Sequence, residues 1–186
     1  MTVRAAIRPL ASALVLASVL VACTGASGSG GIGVASGFDV VTFTAAHRKA
    51  APTFSGMTLR SDQPVSSAIL SGKVGVVNFW GSWCGPCLRE QPALEAVAKE
   101  YASKPVQFLG INTRRDQRSA ALAFVDQFHV TYPSVFNPDS SIAYDFRVRF
   151  MPATFVVDRQ GRIAAEFIGA IASLIELRAL IDSELT

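Results

Sequence analysis

Cysteine and histidine are scarce in this chain of 186 residues, which has three cysteines and two histidines. A structural zinc site needs about four ligands. His47 and His129 stand far from the cysteines without ligand-like spacing, so we expect no metal site. The sequence has no internal repeat, and its apolar run at residues 10–22 is shorter than the roughly 20 residues that a membrane-spanning helix needs.

Excess charge is also small. The formal net charge is +3, and two of the positive charges belong to Arg4 and Arg8, which precede the apolar run. A dedicated nucleic-acid surface needs a clear basic excess, so we expect no nucleic-acid partner.

The N-terminus has the pattern of a secretory signal: a basic start, an apolar stretch and no acidic residue in residues 1–22. The stretch ends in Leu20-Val21-Ala22-Cys23, which resembles the lipobox of bacterial lipoproteins, where the signal is removed before a cysteine that is then acylated. We therefore predict lipidation at Cys23 and a protein anchored to the membrane outside the cytoplasm. An ordinary signal peptide cut near a chance cysteine is the alternative.

The domain organisation follows from composition. Residues 24–37 are rich in Gly and Ser, so we predict that residues 23–50 form an acylated, flexible tether. Residues 51–186 are enough for one compact domain with a sizeable core.

Two cysteines remain when Cys23 is assigned to lipid. Residues 74–80 form a short apolar run that predicts a buried strand, and helical spacing after it predicts a helix from Cys84 to about Ser103. The predicted strand therefore ends shortly before Cys84, where the predicted helix begins, and Cys87 lies in the first turn of that helix.

The redox pair has the sequence Trp83-Cys84-Gly85-Pro86-Cys87. A helix N-terminus stabilises an anion, which favours Cys84 as the nucleophilic thiolate. Cys87 lies nearly one turn further on the same face, where it can resolve a mixed disulfide. Pro86 suits the first turn, and Gly85 leaves the approach to Cys84 open. An inert structural disulfide is disfavoured, because so short a loop adds little stability.

The order of elements predicts an α/β fold with a central mixed sheet flanked by helices. Asp116 is predicted to cap the second helix. The further elements are strands at 106–112 and 134–136, helices at 116–128, 140–146 and 174–181, and a hairpin of 153–158 with 162–168.

Five motifs in order resemble the extracytoplasmic thioredoxin-like proteins of the TlpA, ResA and DsbE type, within the redoxin superfamily. The resemblance covers nearly all of residues 51–186 and implies the thioredoxin fold, with an inserted strand-helix segment between the second strand and the hairpin. The motifs are Ala51-Pro52-Thr53-Phe54, Val77-Asn78-Phe79-Trp80, the redox pair, Cys87-Leu88-Arg89-Glu90-Gln91-Pro92 and Met151-Pro152-Ala153-Thr154-Phe155.

The resemblance also implies roles for single residues. Met151-Pro152 would be a cis peptide facing Cys84, with Met151 offering its backbone to a substrate strand. Asn78 replaces an Asp that in thioredoxin is thought to help proton transfer, and it matches the exported relatives. Glu90 fits their acidic position and could tune the pair, although a solvated helix residue is an equal alternative.

Three residues before this peptide allow two interpretations each. Core packing is favoured for Phe150, because apolar residues beside a strand are usually buried. With Met151 it could instead form an apolar lip for partners. Arg147 and Arg149 could steer acidic partners or could simply be a solvated face.

We therefore predict a tethered thiol-disulfide oxidoreductase that needs no cofactor beyond the Cys84–Cys87 disulfide. A reductant is favoured, because the pair resembles that of thioredoxin, whose reduction potential is about −270 mV. The oxidant DsbA has a reduction potential of about −120 mV. The implied partners are exported protein thiols, apocytochrome c among them, and a membrane thiol-disulfide carrier. The alternatives are a disulfide-introducing oxidase, a peroxiredoxin, which would need Thr in place of Gly81, and a module that binds thiols or haem without turnover.

Overall fold

The computed structural model describes residues 34–35 and 40–186. The predicted signal peptide at 1–22, Cys23 and most of the tether lie outside these residues. The strands are β1 (Val34–Ala35), β2 (Val40–Thr42), β3 (Ser55–Thr58), β4 (Pro64–Ser66), β5 (Val74–Trp80), β6 (Val106–Thr113), β7 (Ser134–Asn137), β8 (Ala153–Val157) and β9 (Ile163–Ile168). The helices are α1 (Gly85–Glu100), α2 (Arg118–Gln127), α3 (Ser141–Asp145) and α4 (Leu174–Leu185).

All nine strands form one mixed sheet in the order β1-β2-β9-β8-β5-β6-β7-β3-β4. The central strand β5 is parallel to β6 and antiparallel to β8, with Phe79 opposite Ala153. The carboxyl end of β5 therefore meets the amino end of β8. This register brings the loop after Trp80 and the Met151-Pro152 peptide to the same edge of the sheet.

The two faces of β5 pack against different helices, as the alternation of side chains in a strand requires. Val74 and Val76 face a cluster that contains Leu94 and Val97 of α1 and Leu177 and Ile181 of α4. Val77 and Phe79 face Ile142, Ala143 and Phe146, at and after α3. The predicted α/β fold of the thioredoxin type, with the inserted β7–α3 segment, is confirmed.

The folded region begins before Ala51, which corrects the predicted tether for residues 40–50. β2 pairs with β9, and Val40 is buried opposite Phe167. Arg48 donates to Asp158 at 3.1 Å and makes two bonds of 2.6 and 2.7 Å to Glu184. This segment is fixed to the sheet and to α4, so it is not free chain.

The described structure differs from the predicted elements at further points, and α4 also continues to Leu185 rather than 181. β3 and β4 were not predicted, and they extend the sheet beyond β7. α1 ends at Glu100 rather than near Ser103, and it passes through Pro92.

Candidate active site

The two cysteines lie where the buried central strand gives way to α1. Cys84 is the N-cap residue of α1, and its Sγ accepts a hydrogen bond from the Cys87 N–H at 3.3 Å. Gly85 and Pro86 form the first helical positions. Cys84 and Cys87 are joined in a disulfide, with their Cα atoms 5.2 Å apart. The oxidised pair therefore lies at the positive end of the helix, where a thiolate is stabilised on reduction.

The disulfide is largely covered. Cys84 is 3% exposed, and both cysteines belong to a cluster with Trp80, against which Met151 packs. Trp83, directly before Cys84, is 56% exposed. A partner therefore reaches Cys84 over an apolar surface that includes the Trp83 ring.

Gly81 is held close to this ring. A Cβ built on Gly81 would lie 3.0 Å from atoms of Trp83. A threonine here, as a peroxiredoxin would need, requires Trp83 to shift. The chain has Gly rather than Thr at this position, which disfavours the peroxidase alternative.

Asp116 fixes the loop between β5 and α1. Its carboxylate accepts from the backbone N–H and the hydroxyl of Ser82, both at 2.6 Å. It also accepts from Asn112 Nδ2 at 2.6 Å and from the Gln117 N–H at 2.8 Å. Because these donors come from β5–α1, β6 and the start of α2, one buried carboxylate joins three parts of the site.

The predicted helix-capping role of Asp116 is therefore wrong. The N-cap of α2 is Gln117, which makes no side-chain capping bond. The spacing before α2 matched a capping signal, but the carboxylate faces the redox loop. Neither Ser82 nor Asp116 was predicted as a site residue, because no local pattern links residues 34 positions apart.

Glu90 is buried beneath the redox pair, which excludes the solvated alternative. It is 8% exposed. Its Oε1 accepts from Asn78 Nδ2 at 3.0 Å, and its Oε2 accepts from the Ile171 N–H at 3.0 Å. Asn78 Nδ2 also donates to Thr154 Oγ1 at 2.9 Å. Asn78 and Glu90, each predicted as a site residue, are thus in direct contact, joined by Thr154 of β8 and Ile171 before α4.

Burial raises the pKa of Glu90 to about 7, although the bonds from Ile171 and Asn78 act in the opposite direction. A carboxyl with such a pKa exchanges its proton near neutral pH. Glu90 lies three residues after Cys87, on the same side of α1. This geometry places a titratable group one turn from the resolving cysteine.

The Asn78 amide can serve both protonation states of Glu90. Its Oδ1 is buried and has no hydrogen-bond partner. If the amide rotates, Oδ1 can accept from a protonated Glu90 and from the Thr154 hydroxyl. Asn78 can therefore stabilise either state without titrating itself.

The Met151-Pro152 peptide bond is cis. Pro152 is buried, and its carbonyl accepts from the Gly169 N–H at 2.9 Å. Phe150 is 66% exposed, so the favoured prediction of core packing is wrong. Its backbone turns away from the sheet before β8 begins, which leaves the ring at the surface beside Met151. Arg147 and Arg149 are also exposed.

Metal ligands do not gather in the part of the chain that the structure describes, where no group of three His, Cys, Asp or Glu residues could hold an ion. His47 Nδ1 lies 2.8 Å from Thr44 Oγ1. Across residues 40–186, none of the helices is both long and apolar enough to cross a membrane.

Comparison with known proteins assigns the fold and the cysteine pair to a family. Residues 46–178 match the model of the Redoxin family. The chain belongs to the Redoxin family. It is 36% identical over 125 residues to the thiol:disulfide interchange protein DsbE of Allochromatium vinosum, covering 66% of this chain and 67% of that protein.

Solved structures agree with this assignment. A DsbF homologue from Corynebacterium diphtheriae has a TM-score of 0.72 and 32% identity, over 81% of this chain and 96% of that one. A secreted thiol-disulfide isomerase from Corynebacterium glutamicum has a TM-score of 0.70 and 27% identity, over 84% and 95%. Together with the Cys84–Cys87 disulfide, these relatives identify the protein as a thiol-disulfide oxidoreductase of the DsbE type.

Proposed function

We propose that the protein reduces disulfides in exported proteins, at the outer side of the membrane, where a lipid on Cys23 holds it. The observation that carries the proposal is the Cys84–Cys87 pair at the start of α1 with Glu90 buried beside it. The signal-like N-terminus and the relative described as secreted support the location.

In the reductive reaction, the Cys84 thiolate attacks one sulfur of a client disulfide. A bond forms between Cys84 Sγ and that sulfur, and the client's second sulfur leaves as a thiolate that takes a proton. The Cys87 thiolate then attacks Cys84 Sγ, which releases the reduced client and forms the Cys84–Cys87 disulfide. Two electrons have passed from the pair to the client, and a membrane thiol-disulfide carrier restores the dithiol.

Glu90 supplies a place for the proton in the second step. Cys87 must lose its proton before it attacks, and it is 1% exposed, so water does not readily remove that proton. A carboxyl with a pKa of about 7 can accept it and later return it. Asn78 and the Ile171 N–H hold that carboxyl in place.

The proposed direction rests on the residues around the pair. The Gly85-Pro86 sequence is that of thioredoxin, a reductant. Within the TlpA, ResA and DsbE group that the sequence resembles, the corresponding client is apocytochrome c before haem attachment. We propose such a client here.

The midpoint potential of Cys84/Cys87 tests the direction. The chain carrying Cys23→Ser is equilibrated in thiol buffers, and the fluorescence of Trp80 and Trp83 reports the redox state. A potential below about −240 mV supports a reductant, and one above about −170 mV identifies an oxidant. Without a reversible transition, exchange is not the function, and a binding module becomes the explanation.

The anchor is tested separately in cells. If Cys23 is acylated, the wild-type protein fractionates with membranes and incorporates labelled fatty acid. Cys23→Ser should lose the label and the membrane association together. A variant that keeps the label would show that the lipid is attached elsewhere.

A further inference from the structure

A groove of about 620 Å³ lies next to the active site, on the face of β8 and β9 that α3 only partly covers. Phe155, Ile163 and Ile168 line it. Phe146, after α3, packs its ring 5.2 Å from that of Phe155 and closes one side. The volume lies within the range of sites that bind ligands, and the lining is largely apolar.

The rim of the groove is basic. Lys49, Arg147 and Arg149 line it, all three are exposed, and none is in a salt bridge with an acidic side chain of the residues that the structure describes. By contrast, neighbouring Arg48 and Arg162 are both paired with Asp158. The rim therefore offers positive charge that the fold itself does not neutralise.

The groove also contains two acidic residues, Asp145 and Glu166. Glu166 lies on the floor, opposite Phe155 of β8 and Val41 of β2. Burial raises the pKa of Glu166, so the floor resists carrying a negative charge. The three cations therefore outnumber the acidic groups, and they stand at the solvent-facing edge.

One end of the groove lies near the redox site, because Met151, which follows the groove residue Phe150, packs against the cluster that contains both cysteines. Phe150 lines the groove and directly precedes the cis Met151-Pro152 peptide. Ala153 and Ile168 pair at the sheet edge where the loop to Cys84 begins, and both line the groove. A chain held beside Met151 thus reaches the groove within a few residues.

We infer that the groove binds an extended client segment beside its exchanging cysteine, and that it selects segments in which an apolar side chain is flanked by acidic ones. The apolar side chain packs on Phe150 and Phe155, and the acidic side chains meet Lys49, Arg147 and Arg149. This inference rests on the proposed exchange with protein clients, and it names which clients are preferred.

Matched peptides test the preference. Each peptide has one cysteine in a disulfide, with a leucine and an ionisable residue on both sides of that cysteine. The ionisable residues are Glu in one peptide and Lys in the other. The reduced protein is mixed with each, and Trp83 fluorescence follows the exchange. We expect the Glu peptide to react about ten-fold faster at low salt, and the difference to shrink at high salt.

Variants of the groove residues test whether the groove causes the faster reaction of the Glu peptide. Lys49→Glu/Arg149→Glu should abolish or reverse it, whereas Arg159→Glu, in the exposed turn after β8, should leave the ratio of the two rates unchanged. A small neutral disulfide should react at the same rate with all forms, which also shows that the variants are folded. Phe150→Ser should slow both leucine peptides to a similar extent.

The outcomes distinguish failure of the groove inference from failure of the proposed redox function. Equal rates for the two peptides, or a preference that Lys49→Glu/Arg149→Glu does not change, would overturn the inference while exchange itself stands. If neither peptide nor the small disulfide reacts, the proposed function fails. Equal inhibition of both peptides by a free aromatic sulfonate, with no charge preference, would assign the groove to a small amphipathic anion instead.

Discussion

Ser82 donates both its backbone N–H and its hydroxyl to the carboxylate of Asp116, each over 2.6 Å. The two residues are 34 positions apart, and Ser82 precedes Cys84 by only two. The conformation of the redox loop therefore depends on a side chain at the start of the segment that leads to α2. We therefore expect Asp116 to act as a positioning residue for the reactive cysteine.

Asp116→Asn should make the conformation of the redox loop less fixed. The amide has about the same volume but presents N–H groups to donors, so at least one bond to Ser82 or Gln117 is lost. We expect a loss of about 1–3 kcal/mol in unfolding free energy. Because the loop carries Trp83 and Cys84, we also expect a changed midpoint potential and slower exchange.

The matched control is Asp139→Asn. Asp139 also accepts hydrogen bonds in a turn before a helix, from Ser141, but in a loop outside the redox site. It should change stability without moving the potential. An unchanged potential in Asp116→Asn would show that Asp116 serves stability alone.

Glu90→Gln should alter the pH dependence of stability. The folded protein holds the proton of Glu90 more tightly than the unfolded chain does, since the pKa rises from 4.5 to about 7. Between these values the folded state binds more protons, so stability falls as pH increases, by about 3 kcal/mol at most. Glu90→Gln should remove this slope in urea unfolding measured from pH 4 to 8.

Glu100→Gln, exposed on the same helix, is the control and should keep the slope. Exchange rates give a second measurement, because an inflection near pH 7 should disappear in Glu90→Gln. A slope that persists in that variant would mean that another group titrates.

Single cysteine variants should separate the two sulfur roles. Cys87→Ser should accumulate a stable mixed disulfide between Cys84 and a client peptide, because the resolving step is missing. In the chain carrying Cys23→Ser, Cys84→Ser should accumulate none, because it lacks the cysteine at the N-terminus of α1, where a thiolate is stabilised. Intact mass under non-reducing conditions measures both. An adduct on Cys87 in the Cys84→Ser variant would show that Cys87 is the nucleophile and Cys84 the resolving cysteine.

Arg48→Met should destabilise the fold by about 1–3 kcal/mol, because the carboxylates of Asp158 and Glu184 both lose a donor, although Asp158 keeps its pair with Arg162. Burial alone would raise the pKa of Asp158, but bonds from Arg162 and Arg48 outweigh it and lower the pKa below 3.8. That stabilisation is present above pH 3.8 and is lost as pH falls through the folded-state value. The variant should therefore unfold at a higher pH during acid titration.

The comparison variant is Arg178→Met, whose pair with Glu100 is more exposed. Arg178→Met should lower the unfolding free energy by less than about 1 kcal/mol. Equal losses in the two variants, measured by urea unfolding, would show that the contacts of Arg48 are no stronger than a surface pair.

The sequence predicted best what local pattern determines. β5, the start of α1 at Cys84 and the hairpin of β8 and β9 depend on apolar runs, a proline at the first turn and a glycine in the turn. The contacts of Asp116 with Ser82 and of Glu90 with Ile171 depend on how distant elements pack, and no spacing encodes them. Residue type alone therefore suggested a cap and a solvated side chain.

Short strands near the edges of the sheet and exposed apolar residues were predicted least well. β2 has three residues, too few for alternation to stand out from a loop, and it gains its order by pairing with β9. Phe150 was expected in the core because strand residues follow it. The loop before Met151 instead places its ring beside the groove, which only the tertiary structure reveals.

The contacts of Arg48 have a consequence for the order in which the chain can fold. A polypeptide made from its N-terminus releases β2 and Arg48 early, but their partners β9 and Glu184 follow much later, Glu184 by 136 positions. The side of β2 that faces β9 therefore stays unpaired until residues 163–168 have been made. Pairing of β2 with β9 thus reports that the chain has been made through β9, and the bonds of Arg48 to Glu184 report that it has been made through α4.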